Sequence, residues 1–587
     1  MAFAKWWAAP VRGEAPDLPP DQLNDLQAQH LRNFLVHRPG QIIPRGGIGA
    51  PGVTGTGSLV DTVNGGALVG TAVADDLVAA TFRLPNATPQ VDYWRVPINR
   101  PTVAGDLSQP SLVGEVVDLK TGTHTTVIPG GATSVFGPSV ARVDQALYSA
   151  SFGGASTAVP TGVAPLNAVR KTAIGGGGAV LTNGPRFVMD VFSHGGRLWA
   201  AAARTPGGAD YDTSAIWYTI PGGTTALTDV ATDWADPVTG EFNRFSIGAA
   251  NDGDFVVGFG RAAGQLLVFK RNAIYVLYGT TPSNFTLRQL RTQSGCVDLR
   301  SICVADEGTY FASQRGYELF DGNKFTLLSE PVSSTWLATS NAGVNATTVN
   351  HAYIRASPLP NDYLYLALGT DSTVANASDA TERGWLLHRP TGSWIDCQTG
   401  IATMRLGAGG YLNRFVMTRG YVIAMGAGPW SRCDLVTFGT DSAIGVQDRD
   451  ASASYDVDLI WTTSVDNMGS FRHLDGKWIT NNLEHCTVDY HQHFVDPPPD
   501  ELTEFGTINL TDGFGQSMGS DMSLPGYQAP GPLRVRQTLD TKWESNRGDV
   551  SVTVQSTTGS DAALRTQQLG IYGLGVSYTH GRERHVP

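Results

Sequence analysis

The sequence predicts an all-β protein. Charged residues make up only 16% of the 587-residue chain, whereas Gly contributes 69 residues. Surface helices need Glu, Lys and Arg on their wet face, so a glycine-rich and charge-poor chain favours short strands joined by tight turns. Apolar or alternating stretches of about five to eight residues, separated by Gly, Asn, Asp or Pro, recur along most of the chain.

Residues 1–51 differ from the rest because prolines interrupt the opening. We expect an extended arm that docks on a neighbouring molecule and contains one short helix over Gln22–Asn33. Asp21 is a suitable N-cap for this helix. Its apolar side consists of Leu23, Leu26, Leu31 and Phe34.

Residues 52–440 repeat one theme, the antiparallel hairpin. Short strands flank the turns in SHGGRL, ADEGTY and VMTRGYV. Units begin roughly every 35 to 60 residues, a spacing typical of a β-propeller, whose blades are small antiparallel sheets arranged in a ring. We predict a propeller of about six or seven blades. Because the period is loose, a stack of β-sandwiches is the alternative.

Residues 441–587 read as longer alternating strands and predict a separate, sandwich-like β domain. Between them lies a long loop rich in Gly, Pro and acidic residues, which starts at PPPDEL and ends at APGP. Long loops in a compact chain are usually functional or disordered.

Charge and cysteine content narrow the class of protein. The net charge of −12 argues against binding to phosphates or to an anionic membrane. An apolar stretch of about 18 residues is absent from the sequence, so we expect no membrane span, and the opening lacks the apolar run of a signal peptide. The 5 cysteines form no CxxC pair, as expected for a chain assembled in a reducing cytoplasm.

Catalytic motifs are missing from the sequence. It contains no P-loop, HExxH or GxSxG pattern, and GGGG at 175–178 lacks the Lys and helix of a phosphate site. The repeated Ser-x-Asp-x-Gly-x-Thr-Trp boxes of sialidase-type propellers are also absent. We therefore expect a protein that is not an enzyme and has no cofactor.

One polar strand, LEHCTVDYHQHF, has the residue types of a metal site. A period of two places His485, Asp489, His491 and His493 on one face. Imidazole and carboxylate groups bind zinc, but four ligands along one straight strand fit a tetrahedron poorly. The alternative is the exposed polar face of an edge strand, and we assign no metal site.

Tryptophans fall within the predicted strands or at their ends. Packing between blades explains them more economically than stacking against a sugar. The residues concerned are Trp199, Trp217, Trp336, Trp385, Trp394 and Trp461.

Residues 265–332 resemble the central segment of propeller-bearing phage tail proteins. The shared features are a strand ending in Lys-Arg-Asn, an Ile-Tyr-Val-Leu strand, a Gly-Cys-Val turn and a strand pair closing on Phe-Asp-Gly. LRNFLVHRPGQIIPRGGI near the start is similar to the opening of the same family. The end, LGIYGLGVSYTHGRER, resembles the Gly-Gln-Tyr-Gly ending of some members, although Ile571 replaces Gln. The family is the tail hub or nozzle of short-tailed double-stranded-DNA bacteriophages, including the packaged-DNA stabilisation and tail tubular B types.

This resemblance implies a structural virion protein that is assembled in the bacterial host cytoplasm. It implies a homo-oligomeric ring of six copies below the portal and adaptor proteins, with tail fibres or spikes docked outside. The ring would extend and gate the exit channel for double-stranded DNA without binding the DNA tightly.

An acidic segment is a candidate wall of this channel. From Trp478 to Leu533 the chain has eight carboxylates and no Lys or Arg. Carboxylates repel the phosphates of passing DNA, so we expect four of them to face the channel or its mouth. These are Asp496, Asp500, Glu501 and Glu504. The alternative is a solvated loop.

Two other functions stay open at this point. A receptor-binding or glycan-hydrolysing propeller of a phage tail would need convergent carboxylates and exposed aromatic side chains in one pocket. A secreted propeller of the host would need an export signal.

Overall fold

The computed structural model describes most strands of the chain and the turns between many of them. The described residues are 2–19, 22–38, 40–49, 67–75, 78–84, 90–95, 117–118, 135–144, 146–153, 169–173, 178–180, 184–204, 212–221, 234–235, 238–239, 241–248, 253–291, 294–333, 354–368, 383–397, 416–418, 421–423, 431–433, 435–436, 448–449, 454–455, 457–464, 466–467, 471–481, 487–493, 503–509, 533–539, 549–557 and 570–580.

The N-terminal residues form five strands. They are β1 (Ala2–Ala8), β2 (His30–Arg32), β3 (Phe34–Arg38), β4 (Gln41–Pro44) and β5 (Ile48–Gly49).

Antiparallel four-stranded units follow one another along the chain. The first three blades consist of β6 (Ala67–Asp75), β7 (Val78–Leu84), β8 (Gln90–Arg95) and β9 (Val117–Asp118); β10 (Val135–Val143), β11 (Ala146–Gly153), β12 (Arg170–Ala173) and β13 (Gly178–Val180); and β14 (Arg186–His194), β15 (Arg197–Arg204), β16 (Ala215–Tyr218) and β17 (Arg244–Ser246). The next three consist of β18 (Val256–Ala262), β19 (Gln265–Lys270), β20 (Ile274–Tyr278) and β21 (Thr286–Arg291); β22 (Cys303–Ala305), β23 (Gly308–Ser313), β24 (Gly316–Phe320) and β25 (Phe325–Leu327); and β26 (Ile354–Leu359), β27 (Tyr363–Leu368), β28 (Arg383–His388) and β29 (Ser393–Cys397).

The last blade is completed by the N-terminal part of the chain. Its own strands are β30 (Val416–Thr418), β31 (Tyr421–Ile423) and β32 (Ser431–Cys433), and the fourth position is taken by β5, which pairs antiparallel with β32. The short strands β33 (Asp448–Arg449) and β34 (Ser454–Tyr455) extend this sheet beyond β5. A strand from far away in sequence therefore fastens the last blade.

The blades close into a ring. Among the described residues, the first strand of each blade contacts the first strand of the next, from β6 through β10, β14, β18, β22 and β26 to β30, and β30 in turn contacts β6. Such radial repetition protects sheet edges, which is the physical advantage of a propeller. The predicted fold class, an all-β chain with a propeller, is confirmed, and a stack of sandwiches is excluded because a stack has no such closure.

Both ends of the chain share two further sheets, here called the terminal sheets. The C-terminal strands are β35 (Asp458–Thr462), β36 (Asp466–Asn467), β37 (Phe471–Asn481), β38 (Thr487–His493), β39 (Thr503–Asn509), β40 (Leu533–Leu539), β41 (Asp549–Thr557) and β42 (Gly570–His580). The first terminal sheet has the order β3-β4-β42-β37-β40, with β1 also paired to β42. The second runs β2-β35-β41-β38-β39, with β36 paired to β41, and it continues through β2 into β29 of the sixth blade.

The N-terminal segment corrects two expectations. The helix predicted over Gln22–Asn33 is wrong, because His30–Arg32 is a strand and the residues before it form turns and bridges. The segment also contributes strands to the sheets of its own chain, whereas we expected an arm docked on a neighbour. A helix of this length is marginal in water, and sheet pairing satisfies the backbone while burying Leu31 and Phe34.

The hydrophobic core lies between consecutive blades. Trp217 packs between the second and third blades, Trp199 between the third and fourth, and Trp385 with Trp394 between the fifth and sixth. All four are buried, which confirms the prediction that they pack between blades. Trp461 is also buried, but it lies in β35 of the second terminal sheet and not in a blade. Trp336 lies outside the described residues. Burying a large apolar side chain contributes about 1.5 to 3 kcal/mol, so these contacts hold neighbouring blades together.

Among the described residues, no helix is both long and apolar enough to cross a membrane.

Candidate functional site: polar contacts between the blades and at the terminal sheets

The structure places the predicted acidic residues as follows. Asp496, Asp500 and Glu501 lie outside the described residues, and Glu504 lies in β39, where its backbone pairs with His491 of β38. The expectation that the four face a channel therefore stays a prediction.

The predicted polar strand is β38, which contains Asp489, His491 and His493, whereas His485 is outside the described residues. In the part of the chain that the structure describes, no three His, Cys, Asp or Glu side chains are grouped as metal ligands would be.

A buried carboxyl group joins three consecutive blades at their first strands. Asp190 of β14 accepts a hydrogen bond from Ser139 Oγ of β10 at 2.6 Å and another from the backbone N–H of Phe259 in β18 at 2.9 Å. Ser139 is held in place in turn, since its Oγ accepts from the Val191 N–H at 3.1 Å. Asp190 is only 5% exposed. This side chain therefore links the second, third and fourth blades.

Local irregularities in the first strands make this contact possible. The pairing register shifts between Phe136 and Ser139 in β10, between Val188 and Asp190 in β14, and between Val256 and Gly258 in β18. A β-bulge redirects the side chain that follows it. Gly258 leaves the necessary space, because a Cβ at that position would lie 3.0 Å from Asp190 Oδ2 and 2.4 Å from Leu299 Cδ1.

Burial determines the protonation of this carboxyl group. Desolvation raises the pKa of Asp190 to about 7, and the hydrogen bonds from Ser139, Phe259 and Val191 only partly offset that effect. Desolvation disfavours the charged form, because a buried carboxylate loses its hydration. The pKa of Asp190 therefore lies near neutral pH although the side chain is buried between blades of the propeller.

Other polar side chains connect the remaining blades. Tyr93 donates to Ser149 Oγ at 2.6 Å between the first two blades. Lys270 is 1% exposed and donates from β19 to the third blade, to Ser214 Oγ and to the Ile247 carbonyl, each at 3.1 Å. These contacts fix the relative position of neighbouring blades, because each buried group requires its partner.

The fourth, fifth and sixth blades are joined by ion pairs. Arg291 of β21 donates to Glu318 Oε2 of β24 at 2.8 Å, and Glu318 is 1% exposed. Arg389, just after β28, donates to both oxygens of Glu307 at 2.7 Å, across the boundary between the fifth and sixth blades. In the second pair one nitrogen, Arg389 Nη1, donates to both carboxylate oxygens, while Nη2 donates to Asp362 Oδ1 at 2.8 Å. Charge-assisted hydrogen bonds of this kind are stronger than neutral ones.

A second polar cluster, here called the joint cluster, lies where the sixth blade meets the second terminal sheet. His30 Nδ1 lies 3.0 Å from Glu14 Oε1, and Arg32 Nε donates to Asp396 Oδ2 at 2.9 Å. Glu14 Oε2 accepts from the Leu31 N–H at 3.1 Å. Burial is the main cause that raises the pKa of Glu14, while the contact with His30 opposes it.

The sequence-based search missed Asp190 and the joint cluster. A signal for Asp190 was present, since it is a lone charge in the otherwise apolar stretch FVMDVF. Lys270 in QLLVFK and Glu318 in GYELF follow the same pattern. Charged residues are almost never fully buried without partners, so each lone charge in an apolar strand predicts a polar contact.

Comparison with known proteins gives remote structural similarities only. No protein-family model and no curated protein matches the chain. The WD40 domain of Toxoplasma gondii coronin is 9% identical, covers 69% of this chain and 86% of its own, and has a TM-score of 0.30. The CNH domain of AfRom2 is 10% identical over 50% of this chain and 79% of its own, with a TM-score of 0.28. A family 43 arabinoxylan arabinofuranohydrolase from Bacillus subtilis is 10% identical over 88% of this chain and 96% of its own, with a TM-score of 0.23.

Proposed function

We propose that this chain is a ring-forming structural subunit of the tail nozzle or hub of a short-tailed double-stranded-DNA bacteriophage. In the virion, six copies surround the DNA exit channel below the portal and adaptor proteins, and fibres or spikes attach outside. The subunit supports the channel mechanically, and no residue is assigned to catalysis, a metal or a cofactor.

The observation that carries this proposal is the continuity of the backbone hydrogen bonding. The N-terminal strand β1 pairs with the C-terminal strand β42 along its whole length, β42 pairs in turn with β37, and β5 fastens the last blade. A load on either end of the chain is therefore shared among many strand pairs. This construction suits a part that must withstand the pressure of a packaged genome.

The segment that resembles phage tail proteins supports the same proposal. Residues 265–332 run from the second strand of the fourth blade to the end of the fifth blade, so the resemblance covers a junction between consecutive blades. The net charge of −12 also fits a conduit whose wall must not retain DNA.

The test is the oligomeric state of the purified full chain, measured by mass photometry and by cryo-EM class averages. We expect a ring of about six copies, because heterologous contacts that close produce rings. Mass spectrometry of purified virions should detect the chain together with the portal protein.

A monomer that stays monomeric at micromolar concentration and is absent from virions contradicts the proposal. A monomer that hydrolyses or binds host glycans would instead support the receptor-binding or glycan-hydrolysing alternative.

A further inference from the structure

The first terminal sheet has an edge strand on each side. In the row of strands β1-β42-β37-β40, each strand is antiparallel to its neighbours. β1 pairs with β42 along all 7 of its residues, and β40 pairs with β37 along all 7 of its own. Among the described residues, no strand pairs with the opposite side of β1 or of β40. The sheet therefore presents two strand edges of equal length.

β1 lacks the features that usually keep strand edges from associating. Such edges are protected by charged residues, by Pro or by a bulge. The sequence of β1, AFAKWWA, contains no Pro, and its pairing with β42 shows no register shift. Its single charge, Lys5, forms an ion pair with Asp25 at 2.9 Å and is thus compensated within the chain. Trp6 is 39% exposed. An apolar edge of this kind favours association with another strand.

The directions of the two edge strands favour a second copy of this chain as the partner. β1 runs antiparallel to β40, because the direction alternates along the row. A rotation about an axis along the strands keeps these directions, so β1 of one copy meets β40 of the next copy as an antiparallel neighbour. The two edges are different surfaces, and contacts between different surfaces of identical copies produce rings when the rotation closes.

The β3–β4 hairpin and the alternation of side chains limit the register of this pairing. Across the sheet, Trp6 lies level with Arg536, and Ile42 of β4 lies level with Leu533. An unshifted neighbour would bring its Leu533 to the outer side of β4, which is already paired with β3. A shift by one residue would exchange the two faces of the strand. The smallest shift that fits is therefore two residues, away from β4.

We propose that β1 of one copy pairs with β40 of the next copy, with Trp6 opposite Arg534 and Ala4 opposite Arg536, so that the first terminal sheets join into one closed sheet. A closed sheet needs a stagger between its strands, and the shift of two residues supplies one. A guanidinium group is attracted to the face of an indole ring, so Trp6 and Arg534 form a favourable cross-strand pair. This inference rests on the proposed function, because it assigns an interface to the proposed ring.

Disulfide cross-linking of the assembled full chain tests the pairing. Within one chain, β42 and β37 separate Ala4 from Arg536 by about 14 Å, which is too far for a disulfide. The double variant Ala4→Cys, Arg536→Cys should therefore give disulfide-linked multimers on oxidation, and each single variant should give none. All the native cysteines that the structure describes are buried.

A second double variant, Ala4→Cys with Thr538→Cys, is the matched control for the register. Thr538 also lies in β40, but it would stand opposite Ala4 only in the unshifted pairing. Two residues along a strand correspond to about 7 Å, so this control should cross-link poorly.

A change of charge at Trp6 tests the same contact without cysteines. Trp6→Lys places an ammonium group opposite Arg534, and like charges directly opposite each other destabilise a strand pair. We expect the midpoint concentration of assembly, measured by mass photometry, to rise by about threefold or more. Adding Arg534→Glu should restore assembly. Because Trp6 is partly exposed, the variant should keep the circular dichroism spectrum of the wild type.

The outcomes distinguish this inference from the proposed function. A ring that forms without the cross-link between positions 4 and 536, or with a cross-link between positions 4 and 538 in its place, refutes the edge pairing and leaves the proposed function standing. Unchanged assembly of Trp6→Lys has the same meaning. A chain that stays monomeric at micromolar concentration and is absent from virions refutes both.

Discussion

At the scale of single residues, Asp190 shows how one buried carboxyl group positions several elements. Its two oxygens accept from the second and fourth blades while its backbone belongs to the third. A buried polar group stabilises a unique arrangement only when its hydrogen bonds are satisfied, and here they are. The contact therefore determines how the blades align, although desolvation makes the charged form unfavourable.

This burial predicts a pH dependence that Asp190→Asn should remove. Because its pKa is raised from 3.8 to about 7, the contribution of Asp190 to stability is complete below pH 3.8 and is lost as the pH rises through 7. We expect the unfolding free energy of the propeller to fall by about 3 kcal/mol between pH 5 and pH 8 for this reason. Thermal unfolding followed by circular dichroism at both pH values measures the effect.

Asn retains an oxygen for the Phe259 N–H and an amide that donates to Ser139, so the variant should fold. Asp144→Asn is the control, since Asp144 is exposed on the β10–β11 turn with a φ of 50°, a conformation that Asn tolerates. Equal pH profiles for the wild type and Asp190→Asn would show that Asp190 is not the titrating group.

At the scale of elements, the segment before β2 depends on one close approach of two backbones. Gly13 forms a parallel bridge with Trp394 of β29, and the Glu14 N–H donates to the Trp394 carbonyl at 2.8 Å. Gly13 has a φ of +75°, and a Cβ there would lie 2.5 Å from the Trp394 oxygen. Only Gly meets both conditions.

We predict that Gly13→Ala destabilises the protein by about 2 to 4 kcal/mol, because the energetic cost of a left-handed Ala and that of the steric clash add together. The clash should also displace the segment, so hydrogen exchange in β29 should increase. Chemical unfolding and exchange of the peptide over Ser393–Cys397 measure the two effects.

Gly40→Ala is the control that separates the strain of a left-handed Ala from the steric clash with Trp394. Gly40 has a φ of +80°, but nothing lies within 4 Å of the added Cβ, so the loss should be about 1 to 2 kcal/mol. Similar losses for the two variants would mean that the approach to Trp394 is unimportant.

At the scale of the whole molecule, the acidic segment gives the sharpest test of the proposed function. We predict that changing Asp496, Asp500, Glu501 and Glu504 to Lys leaves the ring intact but slows genome release several-fold, because duplex DNA carries one phosphate charge per about 1.7 Å. The defect should diminish as salt rises, because dissolved ions screen the interaction between charges that are more than about 8 to 10 Å apart. Release of dye-accessible DNA from virions, triggered at low and at high salt, measures the rate.

A second set of four exposed carboxylates provides a control with the same change in charge. These residues are Asp144, Glu241, Asp306 and Glu330. Their replacement by Lys should leave the release rate unchanged. If the four residues of the acidic segment lie on the outer surface of the assembled ring, the channel hypothesis is wrong.

The sequence by itself determined the all-β class and several of its hairpins. Turn residues at SHGGRL and ADEGTY fixed two hairpins, β14–β15 and β22–β23, because glycine supplies the φ values that those turns require. The buried tryptophans were also predictable, because large aromatic residues in alternating strands pack against a neighbouring sheet. The polar strand over Thr487–His493 was likewise readable from its alternation.

Tertiary structure alone decided how the ends of the chain are used. Leu23, Leu31 and Phe34 fit a short helix by spacing, yet pairing of His30–Arg32 with β35 and β29 outweighs that local preference. The same holds for Asp190 and the joint cluster, whose members come from positions up to 382 residues apart, from Glu14 to Asp396. Strand pairing and buried charge depend on which distant segments meet, and that information is absent from local spacing.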